Sequence, residues 1–562
     1  MNYTVFLCLT LALGAVSVEN EELYELNIVH FNDFHAHFEE TSPSGTVCVP
    51  EEAACIGGYA RLYTAVHQAF EAEPHSLLLN GGDTFQGTIW YNFLRWNVSY
   101  HFMNRLPHTA HVLGNHEFDH GIEGLLPYLE RLDAPMLGAN VNTTFEPQLG
   151  RYVKNHVVVE RQGRKIGIIG VLLRTFSAPI GRVIMEDEVQ AINREAAILT
   201  EQEVDIIIVL SHVGLTTDLY MASVISSDVD IIVGAHSHTL LYTGTPPSGD
   251  RPASEYPTVV TRTDGHRIPV VQASCYTRYL GNIKLYFDDK GKLRSWNGQP
   301  IYLGSSIVQD PKIVSELEPW KQEVDAVGRV VLGRSKVTLN RSWCTRSECN
   351  MGSWACDGFL QHLMVNATSP AWHHAHLCMI NAGGLRVQIN PGDVTTQALL
   401  MAMPFENYVQ VYDLKGQYLL EALEFSVGVN QDTPGNFNSR RMLQIGGMRV
   451  VYNASMPIGS RVVSALVRCI ECDVPRYEPL DTNAIYRVVT QNYIGDGGGG
   501  YTMLSDNREN LDTLPVDYVI LQQYMRAQQV VTKDLDGRIT IYLRKRVFPT
   551  AANDIKFVIN SF

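Results

Sequence analysis

Residues 110–119, with the sequence AHVLGNHEFD, join a short apolar run to a group of polar side chains. The apolar letters predict a buried strand, and Gly114 predicts a turn directly after it. The polar side chains that follow are Asn115, His116, Glu117 and Asp119. Because they include residues that bind metal ions and move protons, this stretch predicts a strand whose carboxyl end carries chemistry. Such strands are typical of α/β domains.

Four more apolar runs in the first 300 residues end in the same way. ELNIVHF leads to Asp33 and His35, SLLLNGG to Asp83, VDIIIVLSH to His212, and VDIIVGAH to His236 and His238. The carboxyl ends of strands in an open α/β sheet converge on one crevice, so these side chains can meet. In an extended segment residues i and i+2 share a face. We therefore expect Asp33 with His35, and His236 with His238, each to point one way.

The side chains at these strand ends are suited to two divalent cations. Asp and His supply oxygen and nitrogen ligands of the kind that Zn²⁺ and Mn²⁺ accept. One carboxylate can bridge two metals, and Asp83 has room to do so after Gly81 and Gly82. A single histidine is more often a structural residue than a ligand, but several at successive strand ends favour a metal centre.

The chain is too long for one ordinary core, since it has 562 residues. Residues 24–308 are interpreted as the catalytic α/β domain. Residues 309–332 are polar with apolar side chains at helical spacing, so they predict a connecting helix. Residues 333–549 predict a second α/β domain, with its own runs HLCMINAGG, YVQVYDL and YRVVTQN. The net charge of −15 and the lack of a long Lys/Arg run make nucleic acid an unexpected partner.

The N-terminus predicts export. Residues 5–16 form an apolar run that is too short to span a bilayer, and Ala15 and Ser17 suit cleavage after residue 17. Residues 1–17 are thus interpreted as a signal peptide, with a buried strand as the alternative. No membrane anchor is expected, and the five Asn-x-Ser/Thr sequons that lie after residue 17 are compatible with a secreted glycoprotein. In an oxidising compartment four cysteine pairs are typical of disulfides: Cys48/Cys55, Cys344/Cys349, Cys356/Cys378 and Cys469/Cys472.

The motifs at 33–35 (DFH), 81–83 (GGD), 114–119 (GNHEFD), 211–212 (SH) and 234–238 (GAHSH), in this order, resemble the calcineurin-like metallophosphoesterases. Nearly the whole chain after the signal resembles the 5′-nucleotidase family, in particular ecto-5′-nucleotidases and secreted insect apyrases. The second half contributes the motifs ECNMG at 348–352, NAGGLR at 381–386 and Pro404-Phe405. The eight paired cysteines also fall where the family's disulfides fall.

The resemblance implies a two-metal site and a catalytic dyad. Asp33, His35, Asp83 and His238 would hold the first ion. Asp83, Asn115, His212 and His236 would hold the second. His116 with Asp119 would form the dyad that stabilises charge on the transferred phosphoryl group. Zn²⁺ is the expected ion, with Mn²⁺, Co²⁺ or Ca²⁺ as alternatives. Arg386 and Asn381 would bind the substrate, and Phe405 and Tyr493 would stack on its base.

The sequence departs from the family's AMP hydrolases in the residues that recognise the nucleotide. Those enzymes carry an arginine where this chain has His37, and another where it has Thr345, with Arg346 next to it. Their ribose-binding Asp falls near Gly499, and Asp496 is out of register with it. These departures concern the choice of substrate rather than the class of reaction.

Three functions remain open from the sequence. The first is an apyrase that cuts extracellular ATP and ADP to AMP, favoured by apyrase-like stretches such as TIWYN at 88–92. In an insect that feeds on blood it would remove the ADP that recruits platelets. The second is a 5′-nucleotidase that converts AMP to adenosine, and other phosphoesters such as cyclic or sugar nucleotides also fit. The third, of another class, is a secreted protein that binds nucleotides without cleaving them.

Overall fold

The computed structural model describes residues 23–43, 45–46, 48, 54–174, 180–364, 371–428 and 439–542. The predicted signal peptide, residues 1–17, and the last residues of the predicted second domain, 543–549, lie outside the described residues. Within the described ranges, none of the helices is both long and apolar enough for a membrane crossing.

The first half folds around two sheets. The larger follows the order Leu293–Gly298, Tyr279–Phe287, Tyr24–Phe31, Leu77–Asn80, Ala110–Val112, Met136–Leu137 and Val153–Lys154, with Ile301–Tyr302 beside Tyr279–Phe287. The second follows the order Thr258–Thr261, Arg267–Val271, Ile231–Gly234, Ile206–His212, Arg164–Leu172 and His156–Arg161. A separate pair joins Val141–Asn142 to Ile184–Met185. Central strands such as Ile206–His212 are apolar and fully buried, because both faces of their sheet are covered.

The two sheets pack face to face. Ile28 and Leu79 from one sheet and Ile168 and Ile208 from the other lie in one buried cluster, which fills the space between them. Helices Glu188–Glu201 and Leu215–Val224 cover the outside of the second sheet, and their apolar side chains form a cluster with its outer face. Tyr59–Ala72 and other helices cover the first. The fold is thus a sandwich of two sheets between helices, which confirms the predicted α/β class.

A helix, Pro311–Gly328, connects the halves. The Asp310 side chain accepts hydrogen bonds from the backbone N–H groups of Lys312 and Ile313, and proline occupies the first helical position, where no N–H is needed. Ile313 and Val324 are buried against the first half. The helix is shorter than the predicted range 309–332, because the strand Val331–Ser335 already begins there.

The described part of the second half contains three sheets around one buried core. The five-stranded sheet has the order Leu443–Gly446, Leu377–Asn381, Ile485–Gln491, Tyr408–Lys415 and Glu509–Val516. The four-stranded sheet has the order Tyr477–Pro479, Val462–Arg468, Met448–Asn453 and Ile539–Tyr542, and the three-stranded sheet Gly392–Thr395, Val331–Ser335 and Val530–Val531.

The remaining helices connect these strands. In the first half they are Ile89–Leu94, Trp96–Met103 and Gly121–Leu129, with short 3₁₀ turns at His116–Phe118 and Leu149–Arg151. In the second half they are Asn350–Met364, Thr396–Ala402, Gly416–Ser426, Asn492–Gly495, Thr502–Ser505 and Asp517–Gln528, with 3₁₀ turns at Ala382–Gly384 and Gly498–Gly500.

The structure places the four predicted cysteine pairs at disulfide distances. Their Cα atoms are 5.7 Å apart in Cys48–Cys55, 4.9 Å in Cys344–Cys349, 5.5 Å in Cys356–Cys378 and 5.8 Å in Cys469–Cys472. These separations lie within the range that a disulfide spans. Cys275 is buried as a free thiol.

Candidate metal centre

The predicted ligands lie in turns that follow the strand ends. Strands end at Phe31, Asn80, Val112, His212 and Gly234. The backbone then turns left-handed, with φ of 51° at Asp33, 49° at His35, 52° at Asp83, 70° at His236 and 57° at His238. Left-handed backbone is uncommon outside glycine, and it is enriched where a structure aims side chains at a site.

These turns sort the side chains into two groups. Asp33, His35 and His238 form one, and Asp83, His212 and His236 form the other. Within each group, one ligand atom from each residue lies within 4.8 Å of the others. The expectation that His236 and His238 point one way is therefore wrong. It assumed extended backbone, whereas both residues adopt positive φ and join different groups.

Asp83 lies between the two groups. One of its carboxylate oxygens is 3.1 Å from Nε2 of His212 and 3.6 Å from Nε2 of His35. The other accepts a hydrogen bond of 3.0 Å from the backbone N–H of His116. Asp33 has the matching position in its own group, with Oδ1 3.2 Å from Nε2 of His238. The placement of Asp83 between the two groups is the one that a bridging carboxylate requires.

Several polar atoms of these residues are buried without a hydrogen-bond partner. They are Oδ1 of Asn115 and Nδ1 of His236, together with Oδ1 of Asp33 and Nε2 of His212, whose contacts with His238 and Asp83 are ion-pair contacts. A buried polar atom that lacks a partner costs about 1–3 kcal/mol, so such atoms rarely collect in one place without a function. Divalent cations would satisfy them, and the oxygen and nitrogen donors are of the right kind. The residues present thus fit two metal ions.

Hydrogen bonds fix the orientation of the ligand side chains. His212 Nδ1 lies 2.6 Å from the carbonyl oxygen of Gly81, and His35 Nδ1 lies 3.1 Å from that of Gln86. These contacts assign Nδ1–H as the donor and leave Nε2 of both rings for a metal. Asn32 donates to Oδ2 of Asp33 at 2.6 Å, as does the backbone N–H of His236 at 3.0 Å.

Burial keeps most of the histidines neutral, as metal ligands must be. It lowers the pKa of His236 to about 3, and it also lowers the pKa of His35 and His238 well below the usual value. His212 differs, because the neighbouring Asp83 carboxylate outweighs burial and raises its pKa to about 10, so a cation bound there would replace the proton on Nε2.

Glu117, to which the sequence assigned no role of its own, is a positioning residue of the site. Its buried carboxylate accepts backbone N–H groups from Asp83 at 3.0 Å, Thr84 at 2.7 Å, Phe85 at 3.2 Å and Gly114 at 2.7 Å. It thus joins the turn that carries Asp83 to the turn that carries His116. The position of Glu117 inside the GNHEFD motif could have indicated a role. Its hydrogen bonds to backbone N–H groups about 30 residues away, however, cannot be recognised from sequence spacing.

The predicted dyad is assembled beside the metal groups. Nδ1 of His116 lies 2.7 Å from Oδ2 of Asp119. Burial would lower the pKa of His116, but Asp119 and Asp83 outweigh it and raise the pKa. The ring of Phe405, from the second half, stacks on His116 with a centroid distance of 5.1 Å and an interplanar angle of 10°. One face of Phe405 is therefore already covered.

Arg386 reaches the first half from the second. One of its Nη atoms lies 3.1 Å from the Tyr276 hydroxyl and 3.5 Å from Nε2 of His238, and its guanidinium lies 5.2 Å from the centre of the Phe405 ring. Two further arginines, missed in the sequence analysis, are near it. Arg341 donates through Nε to the carbonyl oxygen of Leu385 at 2.9 Å, and the carbonyl oxygen of Arg440 accepts from Gly383 at 2.8 Å.

These three arginines form a positively charged cluster. Among the described residues, none of them has a carboxylate within ion-pair distance. Burial and then the charge of Arg386 lower the pKa of Arg341, and the charge of Arg386 also acts to lower the pKa of Arg440. Positive charges that repel each other in one place are stabilised by an anion.

The other residues considered for substrate binding contact residues of the second half. Asn381 is buried, and its side-chain amide donates to the carbonyl oxygen of Arg440 at 3.4 Å, so in this structure it supports the Ala382–Gly384 turn. Tyr493 is half-buried, with Gly499 beside its ring. Asp496 is paired with Arg508 at 2.6 Å. Thr345 is buried, and Arg346 is exposed.

His37, which stands where the AMP hydrolases carry an arginine, lies against Tyr276. The two rings stack with centroids 4.3 Å apart, and burial lowers the pKa of His37 to about 4. A neutral aromatic side chain therefore occupies this position.

Comparisons with known proteins identify the family of the chain. Residues 26–240 match the calcineurin-like phosphoesterase family, and residues 331–506 match the 5′-nucleotidase C-terminal domain. The chain is 42% identical over 524 residues to an apyrase of Tabanus yao, covering 92% of this chain and 94% of that protein. It is 38% identical over 542 residues to a 5′-nucleotidase of Homo sapiens, covering 94% and 93%. A crystal structure of a 5′-nucleotidase precursor from Thermus thermophilus superimposes with a TM-score of 0.83 at 33% identity, covering 93% of this chain and 100% of that one.

Proposed function

Because the chain belongs to the 5′-nucleotidase family of calcineurin-like phosphoesterases, we propose that it is a secreted apyrase that hydrolyses extracellular ATP and ADP to AMP and phosphate. Metal-dependent hydrolysis of nucleotides follows from family membership. The choice of ATP and ADP is supported chiefly by the 42% identity to the Tabanus yao apyrase over nearly the whole chain. His37 and Thr345, two uncharged side chains where the AMP hydrolases carry arginines, also favour ATP and ADP as substrates.

The chain's own residues divide the work of the reaction. In this proposal Asp33, His35, Asp83 and His238 hold one cation, and Asp83, Asn115, His212 and His236 hold the other. When bound, the two cations supply the Lewis acidity that activates water and stabilises the attacking and leaving oxygens. With Nδ1 bonded to Asp119, Nε2 of His116 is free to stabilise the phosphoryl oxygens. Arg386 binds the phosphate, and the terminal P–O bond of ADP breaks to give AMP.

The other parts of the proposal concern export and organisation. Residues 1–17 are proposed to be removed as a signal peptide, and residues 24–308 and 333–549 to act as the catalytic and substrate-binding domains. A relative from Glossina morsitans morsitans is named a 5′-nucleotidase-related protein, at 39% identity. If the source of this chain also feeds on blood, removal of ADP would oppose platelet aggregation.

A 5′-nucleotidase that converts AMP to adenosine is the second candidate, favoured by the identity to the human protein and by the retained Arg386. A protein that only binds nucleotides is disfavoured, because two groups of three metal-capable residues and an assembled dyad serve no purpose in a protein without turnover.

Separate assays of phosphate release from ATP, ADP and AMP test the proposal. We expect kcat/KM for ADP and ATP to exceed that for AMP by about 10-fold or more, which corresponds to about 1.4 kcal/mol of discrimination. Equal or faster release from AMP would assign the 5′-nucleotidase activity instead. Binding of all three nucleotides by the metal-loaded protein without any release of phosphate would assign the non-catalytic function.

Tyr493 tests whether the second half recognises the base. Replacement of Tyr493 with alanine should remove a stacking contact worth about 1–3 kcal/mol, so kcat/KM for ADP should fall about 5- to 150-fold. A small aryl phosphate ester, which has no base, should be cleaved almost as well as by the wild type. Equal losses for both substrates would instead make Tyr493 a structural residue.

Phe405→Ala is the variant to compare with Tyr493→Ala. Because Phe405 stacks on His116, we expect its loss to reduce cleavage of both substrates. A base-stacking role alone would reduce cleavage of ADP only, so the pair of variants separates the two roles of the aromatic side chains.

A further inference from the structure

Tyr276 lies in the centre of the site, although neither the motifs nor the predicted roles include it. Its ring contacts His35 at a centroid distance of 5.5 Å and His238 at 5.2 Å, both nearly edge to face. His37 stacks on it at 4.3 Å. The tyrosine therefore borders the ligand group that contains His35 and His238. Its ring also packs on His37, which stands where the AMP hydrolases carry an arginine.

The backbone holds Tyr276 in this position. Its N–H donates to the carbonyl oxygen of Asp33 at 2.9 Å, and φ is 58°. The flanking Ser274 and Thr277 also have positive φ, of 63° and 56°. Left-handed backbone costs about 1–2 kcal/mol per non-glycine residue, so the surrounding contacts must fix this turn. The hydroxyl thus has a defined place relative to Asp33 and His238.

The Tyr276 hydroxyl has an unused hydrogen-bond donor. Arg386 donates to its oxygen at 3.1 Å, and this is the one hydrogen bond of that hydroxyl among the described residues. A tyrosine hydroxyl can accept and donate at the same time, so its proton is available for an acceptor. Arg341, Arg386 and Arg440 lie nearby and lack carboxylate partners within ion-pair distance in the described ranges, so the expected acceptor is an anion.

We propose that Tyr276 is a substrate-binding residue whose hydroxyl donates a hydrogen bond to the phosphoryl group that Arg386 binds, in place of the arginine that position 37 lacks. The inference rests on the proposed function only in that a phosphate ester or anhydride is cleaved at this site. It holds for a terminal phosphate of ADP and for the phosphate of AMP alike, because the hydroxyl recognises the phosphoryl oxygens and not the nucleoside.

The test is Tyr276→Phe in the full-length, metal-loaded protein. The variant keeps the ring and its packing and removes only the hydroxyl. A hydrogen bond to a charged group corresponds to about 10- to 100-fold in affinity, so we expect kcat/KM for ADP and for a small aryl phosphate to fall by that factor. Binding of inorganic phosphate, measured by calorimetry, should weaken about equally. Metal content and Tm should match the wild type.

Tyr279→Phe is the matched control. The Tyr279 hydroxyl is hydrogen-bonded to Ser248, away from the metal groups, so its loss should leave phosphate binding within about 2-fold of the wild type. Unchanged phosphate binding in Tyr276→Phe would overturn the inference, and so would loss of metal from that variant, since the tyrosine would then only support the ligand histidines. If the wild type cleaves AMP but not ADP, the apyrase proposal fails, and the same two measurements with AMP and phosphate still decide the role of Tyr276.

Discussion

Asp83→Ala is expected to abolish phosphate release. Asp83 approaches His212 of one ligand group and His35 of the other, and it also holds the backbone N–H of His116. Its removal leaves each proposed cation with fewer ligands, and those cations supply the activation of water. Metal analysis of the purified variant should show loss of bound ions, and phosphate release from ADP should fall to the background rate.

Chelation of the wild type is the complementary measurement. A strong chelator should stop phosphate release, and Zn²⁺, Mn²⁺, Co²⁺ or Ca²⁺ should restore it, which also identifies the ion that suits the site. Asp264→Ala, at a half-exposed side chain remote from the ligand groups, is the control and should retain both metal and activity. Full activity of the wild type after verified removal of metal would contradict the two-metal mechanism.

His116→Ala should reduce kcat by about 10²- to 10⁴-fold, the usual contribution of a positioned acid–base group. The variant should keep its metal, because His116 belongs to neither ligand group. The physical reason for the loss is that Nε2 of His116, oriented by the Asp119 carboxylate and by the Phe405 ring, no longer stabilises the phosphoryl oxygens. The measurement is kcat for ADP together with metal content.

His101→Ala serves as the matched control for that variant. His101 is half-buried and bonded to Glu316, remote from the metal groups, so its loss should change kcat by less than about 2-fold. Turnover of His116→Ala near the wild-type value would show that the dyad has been assigned wrongly. Loss of metal from His116→Ala would instead make His116 part of the ligand shell.

The fold class was predictable because its signals are local. Apolar runs such as VDIIIVLSH become strands buried on both faces, and the resemblance of the motifs to metallophosphoesterases is confirmed by the family matches. Strand ends also predicted which side chains would face one crevice, since strands of one sheet deliver their carboxyl ends to one edge. The identities and order of the candidate ligands therefore follow from the sequence.

The sequence by itself thus determined the two-domain α/β architecture and the set of metal-capable residues. The tertiary structure supplies the physical reason for the division that the family resemblance implied, since left-handed backbone at His236 and His238 sends two nearby residues into different groups. It also decided the positions of Glu117, Tyr276 and Arg440. Their contacts join segments far apart in the chain, and hydrophobic periodicity reports which face of a strand or helix is buried but not which distant loop lies against it.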